Sequence, residues 1–115
     1  MGRSYSRLGV NISAVEIEIP FAQSVAITED TLRVDLSDGR TISAPLAWYP
    51  RLLHATPQER RNWRLIAKGR GIHWQAIDED ISMEGLLAGR ASGESQASFK
   101  RWLRQRGTRR KRRAV

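Results

Sequence analysis

The stretch 31–44 constrains the fold more than any other part of the chain. It reads T-L-R-V-D-L, then S-D-G, then R-T-I-S-A, so two alternating runs flank the pair Asp38-Gly39. Alternation of apolar and polar residues is the period of a half-buried strand, because successive side chains point to opposite faces. Asp-Gly between two such runs signals a hairpin, since a tight primed turn requires positive φ that these residues tolerate. The same alternation recurs at 24–28 (S-V-A-I-T), with Glu29 and Asp30 as the intervening turn. It also occurs at 15–19 (V-E-I-E-I), which Pro20 ends. The first half therefore reads as an antiparallel meander.

Pro45 breaks this pattern, and Trp48-Tyr49-Pro50 opens an apolar corner with a short helical turn over 50–55. Thr56-Pro57-Gln58-Glu59 is a capping box with proline at the first helical position. The helix it starts must be short, because Trp63-Arg64-Leu65-Ile66 resumes alternation. Gly69-Arg70-Gly71 reads as a turn and Ile72-His73-Trp74 as a final strand that pairs back. Ser82 is placed to cap a helix over 83–88, with Gly89 where a left-handed residue is wanted. After a Ser92-Gly93 joint, Ser95 can cap a last helix in which Phe99, Trp102 and Leu103 form one apolar stripe. Gly107 is a natural stop, and 108–115 (T-R-R-K-R-R-A-V) has too little apolar content to fold by itself.

Charge is distributed as unevenly as hydrophobicity. The 115 residues carry a net charge of +8, yet residues 1–94 hold 11 basic and 12 acidic side chains. Residues 95–115 hold nine basic ones and no acidic one: Lys100, Arg101, Arg104, Arg106, Arg109, Arg110, Lys111, Arg112 and Arg113. A near-neutral domain followed by a basic appendage points to an interaction tail with an anionic partner. The chain has no cysteine, which excludes disulfide scaffolds, thiolate zinc sites and cysteine nucleophiles. No apolar run approaches the roughly 18–20 residues needed to span a bilayer. Residues 1–11 lack an apolar core, so no secretory signal is expected, and the expected location is the cytoplasm.

Gly71-Ile72-His73-Trp74, then Ile77-Asp78-Glu79-Asp80-Ile81-Ser82, then Glu84-Gly85-Leu86-Leu87-Ala88-Gly89 form a specific block. Through this block the chain resembles the bacterial domain-of-unknown-function family 2442. Leu36-Ser37-Asp38-Gly39-Arg40, Trp48-Tyr49-Pro50-Arg51-Leu52, Glu94-Ser95 and Trp102-Leu103 add to the resemblance, which spans about 13–106. One departure is Gln75, where the family usually has proline after the tryptophan. The resemblance implies a small α+β domain with an antiparallel sheet. It also implies an antitoxin-like or regulatory role, because members are often encoded beside toxin-like proteins and some are joined to helix-turn-helix modules. It implies no activity, since membership of a fold does not establish one.

Four constellations are candidates for chemistry. His73 with Asp78, Glu79 and Asp80 could bind a divalent metal or perform acid–base catalysis. The competing reading, in which Asp78 and Asp80 are turn and cap residues and His73 is bonded to one of them, is favoured, because the only other histidine is His54. Gly69-Arg70-Gly71 lacks the lysine, hydroxyl residue and helix of a phosphate loop. Trp48, Trp63, Trp74 and Trp102 could stack bases beside Arg51, Arg60, Arg61 and Arg64, but tryptophans in a small domain mainly supply core area. The basic tail is the remaining candidate, because up to nine charges can bind phosphates by counterion release.

The expectation is an α+β domain: a small antiparallel sheet of five or six strands in meander and hairpin connections, with short helices packed on one face. An extension occupies 1–12, the domain 13–91, the C-terminal helix of the family pattern 92–106 and the basic tail 107–115. It is expected to be a binding module without catalytic residue, metal or cofactor. DNA or RNA would be contacted through the tail and a toxin-like protein through the folded domain, with no membrane partner. The alternatives are a protein-interaction domain whose tail meets an acidic partner, and an enzyme or metal site at His73, Asp78 and Asp80.

Overall fold

The computed structural model describes residues 18–114, with side chains through Gly107. The extension 1–12 and most of the strand expected at 15–19 lie outside the described residues. Glu18 and Ile19 are described and carry no regular structure.

Strands β1 (Ala22–Ile27), β2 (Thr31–Leu36) and β3 (Thr41–Pro45) form an antiparallel sheet in the order β1-β2-β3. Val34 at its centre lies opposite Val25 on one side and Ile42 on the other. Leu32, Val34 and Leu36 are buried while Arg33 is exposed, so the alternation of β2 sorts core from surface. On the outer face Asp35 accepts hydrogen bonds from Ser24 at 2.7 Å and Thr41 at 2.8 Å, fastening the central strand to both neighbours. Gly39 turns the hairpin at φ 93°, but Asp38 is not at positive φ: a Leu36–Gly39 turn ending in one left-handed glycine replaces the expected tight primed turn.

The capping box forms with both of its bonds. The Glu59 N–H donates to the Thr56 hydroxyl at 3.1 Å, and the Thr56 N–H donates to the Glu59 carboxylate at 2.8 Å. It starts α2 (Pro57–Arg61), which follows α1 (Pro50–Leu53). Strands β4 (Trp63–Ile66), β5 (Gly71–Trp74) and β6 (Glu79–Ser82) then make a second antiparallel sheet in that order. The six strands are thus divided between two three-stranded sheets, because the two helices interrupt the chain between β3 and β4. Alternation identifies strands but does not choose their partners.

β5 is not the final strand. A short helical turn over Gln75–Ile77 joins β5 to the next strand, Asp78 closes it in left-handed geometry at φ 51° and ψ 53°, and Glu79 already belongs to β6. The turn before β5 passes through Ala67, Lys68 and Gly69, all at positive φ. Gly69 is required there twice over: its φ is 86°, and a Cβ would lie 2.8 Å from the Cβ of Phe21.

The Ser82 hydroxyl accepts from the Gly85 N–H at 2.9 Å and opens α3 (Met83–Leu87), after which Gly89 adopts φ 76°. One buried cluster unites Leu32, Val34 and Leu36 of the first sheet with Ile72, Trp74 and Ile81 of the second. Leu52, Met83, Leu86 and Trp102 complete it from the helices.

The last element, α4 (Gln96–Ala114), corrects the expected stop at Gly107 and the expected non-folding tail: its backbone is helical through Ala114. Nucleation is the costly step in helix formation, and the docked turns before Gly107 supply it. Arginine and lysine propagate a helix well and suit its negative C-terminal end. A single glycine costs only about 1 kcal/mol against alanine, too little to end a helix already anchored.

Candidate functional site

Half of α4 is committed to the fold. The Ser98 N–H donates to Ser95, which caps the helix as its position suggested. Phe99, Trp102 and Leu103 then face the core, and Trp102 is only 8% exposed. Phe99 stacks on Trp102 with centroids 5.8 Å apart, and His54 meets the Phe99 ring edge-on at 5.2 Å. The guanidinium groups of Arg51 and Arg106 lie over the Trp102 ring, 5.2 and 4.5 Å from its centroid.

Each of these arginines is held by a carboxylate. Arg51 forks onto Glu94 with bonds of 2.6–3.0 Å and donates another at 2.9 Å to the Ile77 carbonyl. Arg106 forks onto Glu59 with two bonds of 2.9 Å. The hydrogen bonds from Arg51 hold Glu94 below the ordinary carboxylate range, and those from Arg106 do the same for Glu59. Glu59 therefore both caps α2 and anchors α4. Arg106, a candidate nucleic-acid contact by sequence, is a docking residue with a side chain 12% exposed.

The remaining basic residues lie on the same helix. Lys100, Arg101 and Arg104 are exposed. Arg109, Arg110, Lys111, Arg112 and Arg113 occupy the helical backbone beyond Arg106. The helix is about 28 Å long, at roughly 1.5 Å per residue over its 19 residues.

The family block has mainly architectural duties. Ile72 and Trp74 are buried, and the Trp74 indole N–H donates to the Arg60 carbonyl at 3.0 Å. Gly71 lies against Ile66, whose Cγ1 would be 3.0 Å from an added Cβ. His73 and Asp80 are opposite one another on β5 and β6, and the His73 ring is hydrogen-bonded to the Asp80 carboxylate. Asp78 makes the turn and Ser82 caps α3. His73 and Asp80 thus form a cross-strand pair, and Asp78 stands apart from them in the turn. Among the described residues no three His, Asp or Glu side chains are placed to hold a metal ion. Trp74 and Trp102 are core residues, and Trp48 and Trp63 pack against the core from partly buried positions.

Within the candidate cluster of His73, Asp78, Glu79 and Asp80, one residue stands apart from the architectural roles. Glu79 is the buried charged residue of the core, 8% exposed, and burial pushes its carboxyl up to about 7. Among the described residues no donor reaches that carboxyl with a hydrogen bond. It lines a pocket of about 220 Å³ with Tyr49, Ser82, Arg90 and Ser92. The signal was available: Glu79, Ile81 and Met83 share the period-two register of a buried face. The sequence reading placed Glu79 in the cluster with His73, Asp78 and Asp80 and did not single it out.

Two small antiparallel sheets, short helices and a C-terminal helix define an α+β domain. The chain belongs to the family described as "Protein of unknown function (DUF2442)", whose model matches residues 22–92. It is similar to the crystal structure of a protein of unknown function from Rhodospirillum rubrum, with 28% identity and a TM-score of 0.57 over 68% of this chain and 94% of that one. It is also similar to the solution structure of an uncharacterized protein from Chromobacterium violaceum, with 25% identity and a TM-score of 0.56 over 64% of this chain and 69% of that one. No curated protein matches it. The family match is shorter than the 13–106 resemblance and ends before α4. Among the described residues no helix is long and apolar enough to cross a membrane.

Proposed function

We propose that the protein is a binding module whose C-terminal helix contacts DNA or RNA. The observation that carries this reading is the composition of α4, which begins on the core and continues beyond Arg106 with basic residues and no acidic one. Dense positive charge along a helix favours phosphate, because each neutralised phosphate releases counterions. Arginine predominates, and its planar fork suits phosphate oxygens better than a lysine point charge does. The contacts fall to Lys100, Arg101, Arg104, Arg109, Arg110, Lys111, Arg112 and Arg113. Phosphate contacts of this kind carry no sequence preference by themselves.

The family resemblance supports a second partner, a toxin-like protein held by the folded domain, and with it an antitoxin-like or regulatory role. Cutting the chain after Arg106 tests the nucleic-acid reading. Affinity for duplex DNA or RNA should fall at least tenfold, while the melting temperature should hardly move because every docking residue described is retained. If the intact chain binds neither nucleic acid at moderate salt, and instead retains an acidic protein after nuclease treatment, the reading fails and the protein-interaction alternative replaces it.

A further inference from the structure

We propose that the pocket between β6 and residues 90–93 is a binding site for a guanidinium or primary ammonium group, seated on the Glu79 carboxylate. The pocket lies along the outer edge of β6, a strand paired on one side by β5. Its volume of about 220 Å³ is several times the roughly 30 Å³ of a water molecule. It therefore accommodates a small polar group.

The wall is rich in hydrogen-bond acceptors. The Tyr49 phenol donates its proton weakly, at 3.5 Å, to the Arg90 carbonyl, which leaves the phenol oxygen available as an acceptor. The Ser82 hydroxyl is committed to capping Gly85 and the Ser92 hydroxyl to the Glu94 N–H. Glu79 offers two carboxyl oxygens that no described donor reaches. A buried acceptor without a donor is costly, and a charged one more so. A donor-rich cation removes that cost.

The surrounding charge favours a cation as well. The charges acting on Glu79 are those of Glu94 ahead of α4, Asp80 and Asp78 at β6, and Arg51 from α1. Arg51 has the largest charge effect on Glu79, yet its fork is closed on Glu94 and the Ile77 carbonyl. Arg90 also lines the pocket and is exposed to solvent. Burial is the largest cause of the upward shift at Glu79, and the opposing pull of Arg51 is countered by Glu94, Asp80 and Asp78. A bound cation would draw that carboxyl back toward its ionised form.

The test is a titration of the full chain, followed by amide NMR, with methylguanidinium and with a capped Gly-Arg-Gly peptide. Tetramethylammonium at equal ionic strength serves as the control that cannot donate hydrogen bonds. Both donors should produce saturable shifts at Ser82, Gly85 and Ser92, and the control none. Affinity should be about tenfold higher at pH 8 than at pH 6, following the ionised fraction of a carboxyl near 7. Glu79→Gln should abolish the shifts, and Tyr49→Phe should weaken them several-fold while the spectrum stays that of a folded protein. Tighter binding of the peptide assigns the site to an arginine side chain of a partner; tighter binding of methylguanidinium assigns it to a free small cation. Shifts that match those of tetramethylammonium, or that persist in Glu79→Gln, overturn the site.

Discussion

The dock of α4 and the edge of β6 treat buried carboxylates in opposite ways. At the dock, Glu59 and Glu94 each face an arginine at hydrogen-bonding distance, and both are held below the ordinary carboxylate range. At the edge, Glu79 is buried more completely, no described donor reaches it, and its carboxyl is pushed up to about 7. The paired carboxylates hold a helix in place. The unpaired one costs stability without anchoring anything, which directs attention to what could bind it. The difference shows that burial alone does not separate structural from functional charge in this molecule; the presence of a donor does.

The strongest way to break the dock is to remove its apolar centre. Trp102→Ala deletes the ring on which Phe99, Arg51 and Arg106 converge, and should cost about 3–5 kcal/mol in denaturant unfolding. A cost below 1 kcal/mol would mean that α4 is not held by this contact.

The edge should respond with the opposite sign. A carboxyl whose pKa is raised on folding binds its proton more tightly in the folded state. Its penalty is therefore absent below the ordinary 4.5 and grows as pH rises to about 7. Glu79→Gln should thus stabilise the protein at pH 8 by up to about 3 kcal/mol and leave it nearly unchanged at pH 4. A destabilised variant at pH 8 would show that Glu79 is compensated in the fold.

Glu59→Gln sharpens the contrast with a smaller effect. Glutamine keeps an acceptor for the capping box but loses the charge facing Arg106, at a cost of about 1–2 kcal/mol near neutral pH. Because the Glu59 pKa is lowered on folding, its contribution is present above the ordinary 4.5 and is lost as pH falls through the folded value. The wild type and the variant should therefore converge in acid, whereas the Glu79 pair converges there for the opposite reason.

Local chemistry was legible in the sequence wherever one residue type had one use. Strand β2, the Asp38-Gly39 hairpin, the Thr56–Glu59 box, the Ser82 cap and the docking role of Trp102 all follow from period, turn geometry or capping. The division into two sheets was not legible, because alternation is blind to which strands pair. The continuation of α4 through Gly107 depends on nucleation by a docked segment, which is a tertiary effect. At the candidate site, the basic residues of α4 were evident from charge, but the commitment of Arg106 to Glu59 requires two residues far apart in sequence. β6 was hidden because Glu79 occupies an inward position that alternation reserves for apolar side chains.

The central claim is that the basic helix beyond its dock binds nucleic-acid phosphates. The most direct measurement is the salt dependence of duplex binding by the intact chain and by the chain ending at Arg106. Five basic residues lie beyond that point, so the slope of log affinity against log salt should shrink in magnitude by as much as about 4.5 on truncation. Equal slopes for the two chains would contradict the claim.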